Sequence, residues 1–339
     1  MTVRRILHGG GIEEARIENA DCAVSLLNLG CALRDWRVAH GGREVPVTLG
    51  LAEPGAYRDN PFYLGVIVGR VANRIAHGRM PFGGTVLRLP VNAPPHCLHG
   101  GPEGLSTRLW DMAIDSRADT VRFSCDSPDG DGGWPGAVRF TVEAALCGRE
   151  LAWRMRARPD RPTPINLALH AYWNLMGGGD VRDHALRVAA SRVTPTDATL
   201  APTGEIAPVA GGRCDFRAAR TLRDADPAAD GFDVNLALDG GDGPAAALTA
   251  PNGLGLRLWT DRPGLQLFDA KPFGGLGGGH GGAVYGPFAG LALEAQDFPD
   301  APNHPEFPSI LRYPDRPYSQ RLKLEIEPVA EEGGPGDSI

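Results

Sequence analysis

The chain has 339 residues, is 42% hydrophobic and carries a formal net charge of −7. This length can bury the core of one large domain or two ordinary ones. The acidic balance and the lack of clustered Lys and Arg argue against a nucleic-acid partner or an anionic membrane surface.

Targeting and redox features are consistent with a cytoplasmic protein. No apolar run approaches the ~18–20 residues that span a bilayer, and the N-terminus has no apolar segment of the signal-peptide kind. The six cysteines are scattered, without a C-x-x-C motif or a histidine at zinc-ligand spacing. We therefore expect reduced thiols, a cytoplasmic location, no membrane partner and no bound metal.

Two motifs in the first third of the chain carry polar side chains. GRVANRIAHGR places Asn73 beside Arg74, and VNAPPHCLHGG contains His96 and His99. Arginine offers a planar fork of donors and asparagine both a donor and an acceptor, which suits vicinal hydroxyls. Either motif alone would equally fit a solvated strand end or a turn.

Alternation of apolar and polar residues predicts strands with one buried face. It occurs at residues 138–146, 151–158, 254–261 and 321–327, with turn sequences rich in Gly, Pro and Asp between the runs. Many short strands separated by turns are typical of sandwiches and barrels. We expect one all-β domain over residues 1–330, a large antiparallel β-sandwich with at most short helical turns, and a disordered tail at 331–339.

Residues 165–175, INLALHAYWNL, predict a buried strand with His170 at its centre. A histidine in such a strand is more often a hydrogen-bonded core residue than a catalyst. The neighbouring Tyr172 and Trp173, followed by Asn174, nevertheless suit the wall of a sugar-sized pocket. An imidazole that titrates near neutrality can also give or take a proton there.

Two further segments follow in the last quarter of the chain. The glycine-rich residues 274–282 precede a proline and no helical run, so they do not form a dinucleotide cradle. We expect a flexible surface loop there, with a lid over the site as the alternative. In GLALEAQ, alternation puts Glu294 and Gln296 on one face of a strand, which leaves Glu294 either in a cavity among small neighbours or exposed.

Taken together, these motifs resemble the aldose 1-epimerase (galactose mutarotase) family. The similarity runs from about Gly65 to Arg321 and preserves the family's order of motifs: GRVANRI, LHGG, SPDGDGGWPG, HAYWNL, PTGEIAPV, GFDVN, PGLQ and LEAQDFPDAPNHPEFPS. It implies a galactose-mutarotase-like supersandwich and an isomerase of carbohydrate metabolism. It further implies a small monosaccharide substrate, no cofactor, and a monomer or homodimer.

The resemblance also implies residue roles. Glu294 in LEAQ matches the catalytic base, and His170 in HAYWN matches the catalytic acid. The positions that hold the sugar's hydroxyls and ring oxygen match Asn73, Arg74, His99, Asp233 and Gln266.

Mutarotation would then proceed by opening and reclosing the hemiacetal ring. Glu294 would take the proton of the anomeric hydroxyl while His170 gives one to the ring oxygen. Rotation about C1–C2 and reclosure with reversed roles would yield the other anomer. His170 must then be protonated for part of the time near pH 7, and we expect a carboxylate such as Asp233 to hold it so.

The sequence departs from the family pattern at three places. Leu169 stands where the family usually has Asn before the acid histidine, and LFDAKPFGG follows PGLQ in place of an aromatic residue and a T-G-N-type turn. Pro95, His96 and Cys97 replace the usual P-N-x before LHGG. We expect these changes to lie around the sugar's distal hydroxyls and to affect which aldose is preferred.

Three other functions are compatible with parts of this pattern. A non-catalytic sugar-binding protein would keep the aromatic residues and Arg74 without needing both His170 and Glu294. A glycoside hydrolase would need two carboxylates across a glycosidic bond, for which Glu294 and Asp233 are the obvious pair. A sugar-phosphate epimerase would need a cationic cradle, for which only Arg74 and Lys271 are candidates.

Overall fold

The computed structural model describes residues 2–115 and 119–329, so the tail predicted at 331–339 lies outside the described residues. In chain order the described strands are β1 (Thr2–Leu7), β2 (Glu13–Glu18), β3 (Cys22–Leu27), β4 (Ala32–His40), β5 (Arg43–Pro46), β6 (Ile67–Val68), β7 (Arg74–Ile75), β8 (Arg79–Phe82), β9 (Thr85–Arg88), β10 (Cys97–Leu98), β11 (Asp111–Asp115), β12 (Thr120–Ser127), β13 (Val138–Cys147), β14 (Glu150–Pro159), β15 (Thr163–Pro164), β16 (Ala168–Leu169), β17 (Tyr172–Trp173), β18 (Ala185–Val188), β19 (Arg192–Thr194), β20 (Ala207–Pro208), β21 (Arg220–Thr221), β22 (Asp233–Ala237), β23 (Ala246–Thr249), β24 (Leu254–Thr260), β25 (Gly264–Phe268), β26 (Leu291–Gln296), β27 (Leu311–Arg312) and β28 (Tyr318–Pro328).

Helical structure in these ranges is limited to single turns, as the glycine- and proline-rich sequence predicts. One short α-helix, α1, spans Leu222–Ala225. The 3-10 turns are Gly9–Gly11, Pro54–Arg58, Ala76–Gly78, Leu105–Thr107, Asp131–Gly133, Val181–Asp183, His280–Gly282 and Ala301–Asn303. None of the helices described in residues 2–115 and 119–329 is long and apolar enough to cross a membrane.

The described strands form three large antiparallel sheets. A five-stranded sheet follows the order β1-β2-β3-β4-β5, and a nine-stranded sheet the order β11-β12-β13-β14-β28-β24-β23-β18-β21. A six-stranded sheet follows the order β17-β26-β25-β22-β19-β20. Four separate two-stranded ladders are also present among the described strands: β7 with β10, β8 with β9, β15 with β27 and β6 with β16. The prediction of a large antiparallel β-sandwich is confirmed.

The strands predicted from alternation are present in the nine-stranded sheet. They correspond to β13, β14, β24 and β28, and β14 pairs with both β13 and β28. Along β13 every second residue from Val138 to Leu146 is buried and the intervening ones are not, because successive side chains of a strand point to opposite faces. The buried face of this sheet therefore supplies one wall of the core.

One hydrophobic cluster joins all three large sheets. It contains Trp153 of the nine-stranded sheet, Trp36 of the five-stranded sheet and Leu293 of the six-stranded sheet, all at most 3% exposed. Trp36 also meets Trp173 edge-on at a ring-centroid distance of 6.0 Å. Since Leu293 faces this core, the next residue of β26, Glu294, faces the other side of the six-stranded sheet.

The prediction of one continuous strand at 165–175 is wrong. The chain forms two short strands with different partners: β16 pairs with β6, and β17 pairs with β26. His170 lies between them, where its backbone N–H donates to Val66 O at 2.9 Å and its carbonyl accepts from Gly65 at 2.9 Å. The histidine is therefore held at the point where the chain passes from one sheet to the next.

A buried arginine organises the turn sequence SPDGDGGWPG. Arg70 is 2% exposed, and its guanidinium donates to the carbonyls of Pro128, Pro135 and Gly136 and to both the carbonyl and the hydroxyl of Ser127. The carbonyls of Pro128, Pro135 and Gly136 lie outside the sheets, so these bonds satisfy acceptors that no strand partner reaches. They fix the turn against the segment that leads to Asn73 and Arg74.

Candidate active site

A cavity of about 220 Å3 lies on the outer face of the six-stranded sheet. It is lined by six of the seven residues predicted for the site: Asn73, Arg74, His99, His170, Asp233 and Glu294. Gln266 is the exception, since it is buried beside the cavity and donates through Nε2 to Asp233 Oδ1 at 2.5 Å. The fold thus brings together residues that are up to 221 positions apart in the chain, from Asn73 to Glu294.

Glu294 and His170 face each other in this cavity. Glu294 is 2% exposed, and its Oε1 lies 3.5 Å from His170 Nε2. Its other oxygen, Oε2, has no hydrogen-bond partner among the described residues. Of the two alternatives left open by the sequence, the cavity position for Glu294 is therefore the observed one, and one carboxylate oxygen is free for a ligand.

Burial shifts the pKa values of this pair toward their uncharged forms. Burial lowers the pKa of His170 to about 4. Burial, reinforced by the negative charge of Asp233 and opposed by Arg74, raises the pKa of Glu294 well above its ordinary value. In the empty cavity burial therefore favours the form of the pair in which Glu294 carries the proton and His170 is neutral.

The expectation that Asp233 keeps His170 protonated is wrong. The carboxylate of Asp233 is engaged elsewhere: Oδ2 pairs with Arg74 Nη2 at 3.2 Å, and Oδ1 accepts from Gln266. Asp233 and Gln266 lie on the adjacent strands β22 and β25, whose register pairs Asn235 with Gln266. The resulting chain from Arg74 through Asp233 to Gln266 fixes all three side chains.

Asn73 and His99 are bound to each other in both directions. The Asn73 N–H donates to His99 Nδ1 at 3.1 Å, and the His99 N–H donates to the Asn73 carbonyl at 3.0 Å. Both residues have positive φ, 63° and 53° respectively, a backbone region in which Asn and His are enriched. Because Nδ1 is an acceptor, the proton of the neutral ring is on Nε2, and burial lowers the pKa of His99 well below its usual range.

This tautomer bears on metal binding. Among the described residues, ligand atoms of His99, His170 and Glu294 lie within 4.8 Å of one another, a spacing that fits a metal ion. Coordination through His99 Nε2 would require its proton to leave and Nδ1 to become a donor facing the Asn73 N–H. The hydrogen bond between these two residues therefore favours a ring that donates to a ligand oxygen over one that coordinates a metal.

Aromatic residues form part of the wall, but not all of those predicted. Tyr172 lines the cavity, whereas Trp173 packs in the core against Trp36, and Asn174 is buried and donates to backbone carbonyls. The prediction that both rings of HAYWN face the sugar is wrong because adjacent strand residues point to opposite faces. Tyr63, which the sequence did not single out, has its ring 4.6 Å from that of His99.

The remaining wall is apolar and was not predicted. It consists of Pro61, Phe62, Leu98, Leu200, Phe268 and Pro272. Phe268 and Pro272 belong to the LFDAKPFGG departure, so the expectation that this segment lies at the pocket is met. Leu169 is 3% exposed in the main core, and His96 is 2% exposed and outside the lining, so these two departures do not reach the cavity wall.

The glycine-rich segment 274–282 does not line this cavity. Its His280 ring bonds the carbonyl of Arg34 at 2.9 Å, and the carbonyl of Gly278 accepts from Ala52 at 2.9 Å. Leu276 forms a bridge with Tyr285. These contacts tie the segment to Arg34, Ala52 and Tyr285, so the lid alternative has no support from its position.

Comparison with known proteins agrees with the family that the sequence motifs resemble. The family model described as aldose 1-epimerase matches residues 13–325. Mouse galactose mutarotase is 38% identical over 319 residues, which cover 92% of this chain and 93% of the mouse protein. Aldose 1-epimerase of Escherichia coli K12 is 36% identical over 303 residues, which cover 86% and 87%.

Solved structures agree with the fold. The GalM/aldose epimerase homologue from C. elegans superposes with a TM-score of 0.89 at 28% identity and covers 97% of this chain and 100% of its own. Galactose 1-epimerase from Lactobacillus acidophilus gives a TM-score of 0.83 at 27% identity, covering 97% and 98%. The chain belongs to the aldose 1-epimerase family.

Proposed function

We propose that this enzyme, an isomerase of the aldose 1-epimerase type, interconverts the α and β anomers of a free aldose with Glu294 as base and His170 as acid. The observation that carries the proposal is the convergence of these two groups, 3.5 Å apart, in a cavity of about 220 Å3, with Glu294 Oε2 unpaired among the described residues. Oε2 is free to accept the proton of the anomeric hydroxyl. Nε2 of His170, 3.5 Å from the other oxygen of the same carboxylate, can give a proton to the ring oxygen.

The proton inventory of the pair fits both halves of the reaction. On the closed sugar ring, the pair acts with Glu294 as a carboxylate and His170 as an imidazolium. When the anomeric proton passes to Glu294 and the His170 proton passes to the ring oxygen, the result is a protonated Glu294 and a neutral His170. This is the state that burial favours in the empty cavity. Reclosure on either carbonyl face restores the charged pair, so no proton is exchanged with solvent.

The surrounding residues support binding of hydroxyls. Arg74 and Asp233 together present donors and acceptors that are only 14% and 20% exposed as side chains. His99 offers its Nε2 proton, and Asn73 borders the same cavity. Tyr172 supplies an aromatic face for C–H groups of the ring. The substrate class we propose is therefore a neutral monosaccharide, bound without a metal or other cofactor.

Two alternatives are less well supported by the contacts. A sugar-phosphate epimerase needs free cations at the cavity, but Arg74 is paired with Asp233, and Lys271 Nζ donates to the Asp230 carbonyl at 2.7 Å. A glycoside hydrolase needs a second carboxylic acid, but both oxygens of Asp233 already accept hydrogen bonds.

The test follows optical rotation of freshly dissolved α-D-galactose and α-D-glucose with wild type, Glu294→Gln and His170→Asn. Each variant should lose about 10²–10⁴-fold in kcat, while calorimetry still detects sugar binding and thermal unfolding stays near that of wild type. Full activity in either variant would overturn its assigned role. Sugar binding by wild type without faster mutarotation would favour the non-catalytic sugar-binding protein.

Location and assembly complete the proposal. The six cysteines are free thiols, which supports a reducing, cytoplasmic environment. The assembly we propose is a monomer or a homodimer in which each copy is active. Constant activity per chain across a dilution series that changes the mass measured by light scattering would support independent sites.

A further inference from the structure

His96 is buried behind the cavity, and its hydrogen bonds define what it does. The His77 N–H donates to His96 Nδ1 at 3.2 Å, so the neutral ring carries its proton on Nε2. Nε2 then donates to Thr199, with Oγ1 at 2.9 Å and the carbonyl at 3.1 Å. Burial lowers the pKa of His96, which keeps the ring neutral at pH 7.

Thr199 belongs to a tight turn formed by residues 197–201. The side chain of Asp197 accepts from the Thr199 hydroxyl at 2.6 Å, from the Thr199 N–H at 2.7 Å and from the Ala201 N–H at 3.2 Å. The backbone closes the turn, with Leu200 N–H bonded to Asp197 O at 3.0 Å. Since the Thr199 hydroxyl donates to Asp197, its oxygen can accept from His96.

Leu200 is the residue that this turn presents to the cavity. It lines the cavity wall and is 40% exposed, an unusual position for a large apolar side chain. Its φ is 65°, a left-handed conformation that leucine seldom adopts without external support. The bonds that Asp197 and His96 make with the turn supply that support and hold the side chain at the cavity wall.

We propose that Leu200 is a substrate-contacting residue that packs on a C–H face of the bound sugar, and that His96 and Thr199 are positioning residues that hold it there. The proposal rests on the proposed function and assigns a role to a histidine outside the catalytic pair. It also explains how a residue that does not border the cavity can influence substrate binding. A sugar ring with its hydroxyls on the polar side of the cavity leaves C–H groups for this apolar side chain.

The experiment measures kcat and KM for mutarotation of galactose in four single variants. Leu200→Ala should raise KM on the order of fivefold, through lost apolar contact, with kcat within about twofold of wild type. Thr199→Val should raise KM in the same way because it loses the hydroxyl, whereas Thr199→Ser should retain the wild-type KM. Leu109→Ala, a substitution at a leucine that is 43% exposed away from the cavity, serves as the matched control and should change neither constant.

A double variant separates positioning from general structural damage. If Thr199 acts only by holding Leu200, Thr199→Val combined with Leu200→Ala should have the KM of Leu200→Ala alone. An unchanged KM in Leu200→Ala, multiplicative effects in the double variant, or equal loss in Thr199→Ser and Thr199→Val would overturn the proposal. Failure of the proposed function is a separate result, since wild type itself would then not accelerate mutarotation, and sugar affinities of the same variants measured by calorimetry would still test the contact.

Discussion

The pH dependence of kcat/KM is the most direct test of the shared proton between Glu294 and His170. The active form of the pair holds one proton in total. It takes up a second proton at acid pH, governed by the lowered pKa of His170, about 4. It loses its only proton at alkaline pH, governed by the raised pKa of Glu294. Activity should therefore form a plateau that begins near pH 4 and ends at the raised pKa of Glu294.

The magnitude distinguishes this plateau from the behaviour of an ordinary histidine. If the acid limb belonged to a group with the unperturbed pKa of about 6.5, kcat/KM at pH 5 would be about 30-fold lower than on the plateau. The buried pair predicts that kcat/KM at pH 5 stays close to its plateau value and falls by about tenfold per pH unit only below pH 4. The acid limb lies at lower pH than that of an ordinary histidine because burial disfavours the charged imidazolium of His170.

Polarimetry with subtraction of the spontaneous, base-catalysed rate provides the assay, and unfolding must be excluded at each pH by tryptophan fluorescence. NMR titration of the His170 ring in Glu294→Gln gives an independent value, because burial persists there without the carboxylate. A limb of kcat/KM near pH 6.5, or a His170 ring that titrates near 6.5 in the variant, would refute the shared-proton argument.

Three substitutions test the elements around the pair. Asp233→Asn should raise KM because it releases Arg74. It should also move the alkaline limb of kcat/KM to lower pH, because the charge of Asp233 contributes to the raised pKa of Glu294. An alkaline limb at the wild-type pH would contradict this coupling. Arg70→Met should lower the free energy of unfolding, measured in urea, by about 3 kcal/mol or more, because buried carbonyls lose their donor. A loss of less than about 1 kcal/mol would refute this role of Arg70. Gly264→Ala should lower the free energy of unfolding by about 1–3 kcal/mol in the same urea denaturation, because the new Cβ would lie 2.5 Å from the Oδ1 atom of Asn235. An unchanged free energy of unfolding would refute this clash.

Much of the sheet structure was predictable because a two-residue period depends only on local sequence. In β13, Phe140 and Val142 are fully buried, and the opposite-facing Arg139 is exposed. The same reasoning failed at 165–175, where nearly every residue is apolar or small. A continuous buried run carries no period, so it cannot reveal that the chain changes partners between Leu169 and Tyr172.

The residues of the candidate site were also predictable only in part. Residues in motifs, such as His99 in LHGG and Asp233 in GFD, were identified before the fold was known, and the structure brings them into one cavity. Leu200 was not, because a leucine in a turn sequence carries no chemical signal. Its place at the cavity is apparent only from the structure, where Asp197 and His96 hold the turn through hydrogen bonds.

Protonation was the least predictable property, and the reason is physical. Sequence supplies a histidine and a glutamate with ordinary pKa values, and the natural inference is a charged acid stabilised by a nearby carboxylate. In the fold, His170 lies between two short strands and Glu294 lies in β26, which has a partner strand on both sides, and both residues are buried, so both lose their hydration. The nearest other carboxylate, Asp233, is bound by Arg74. Desolvation then acts on both members of the pair in opposite directions and leaves one proton between them, which is the quantity that ring opening and reclosure require.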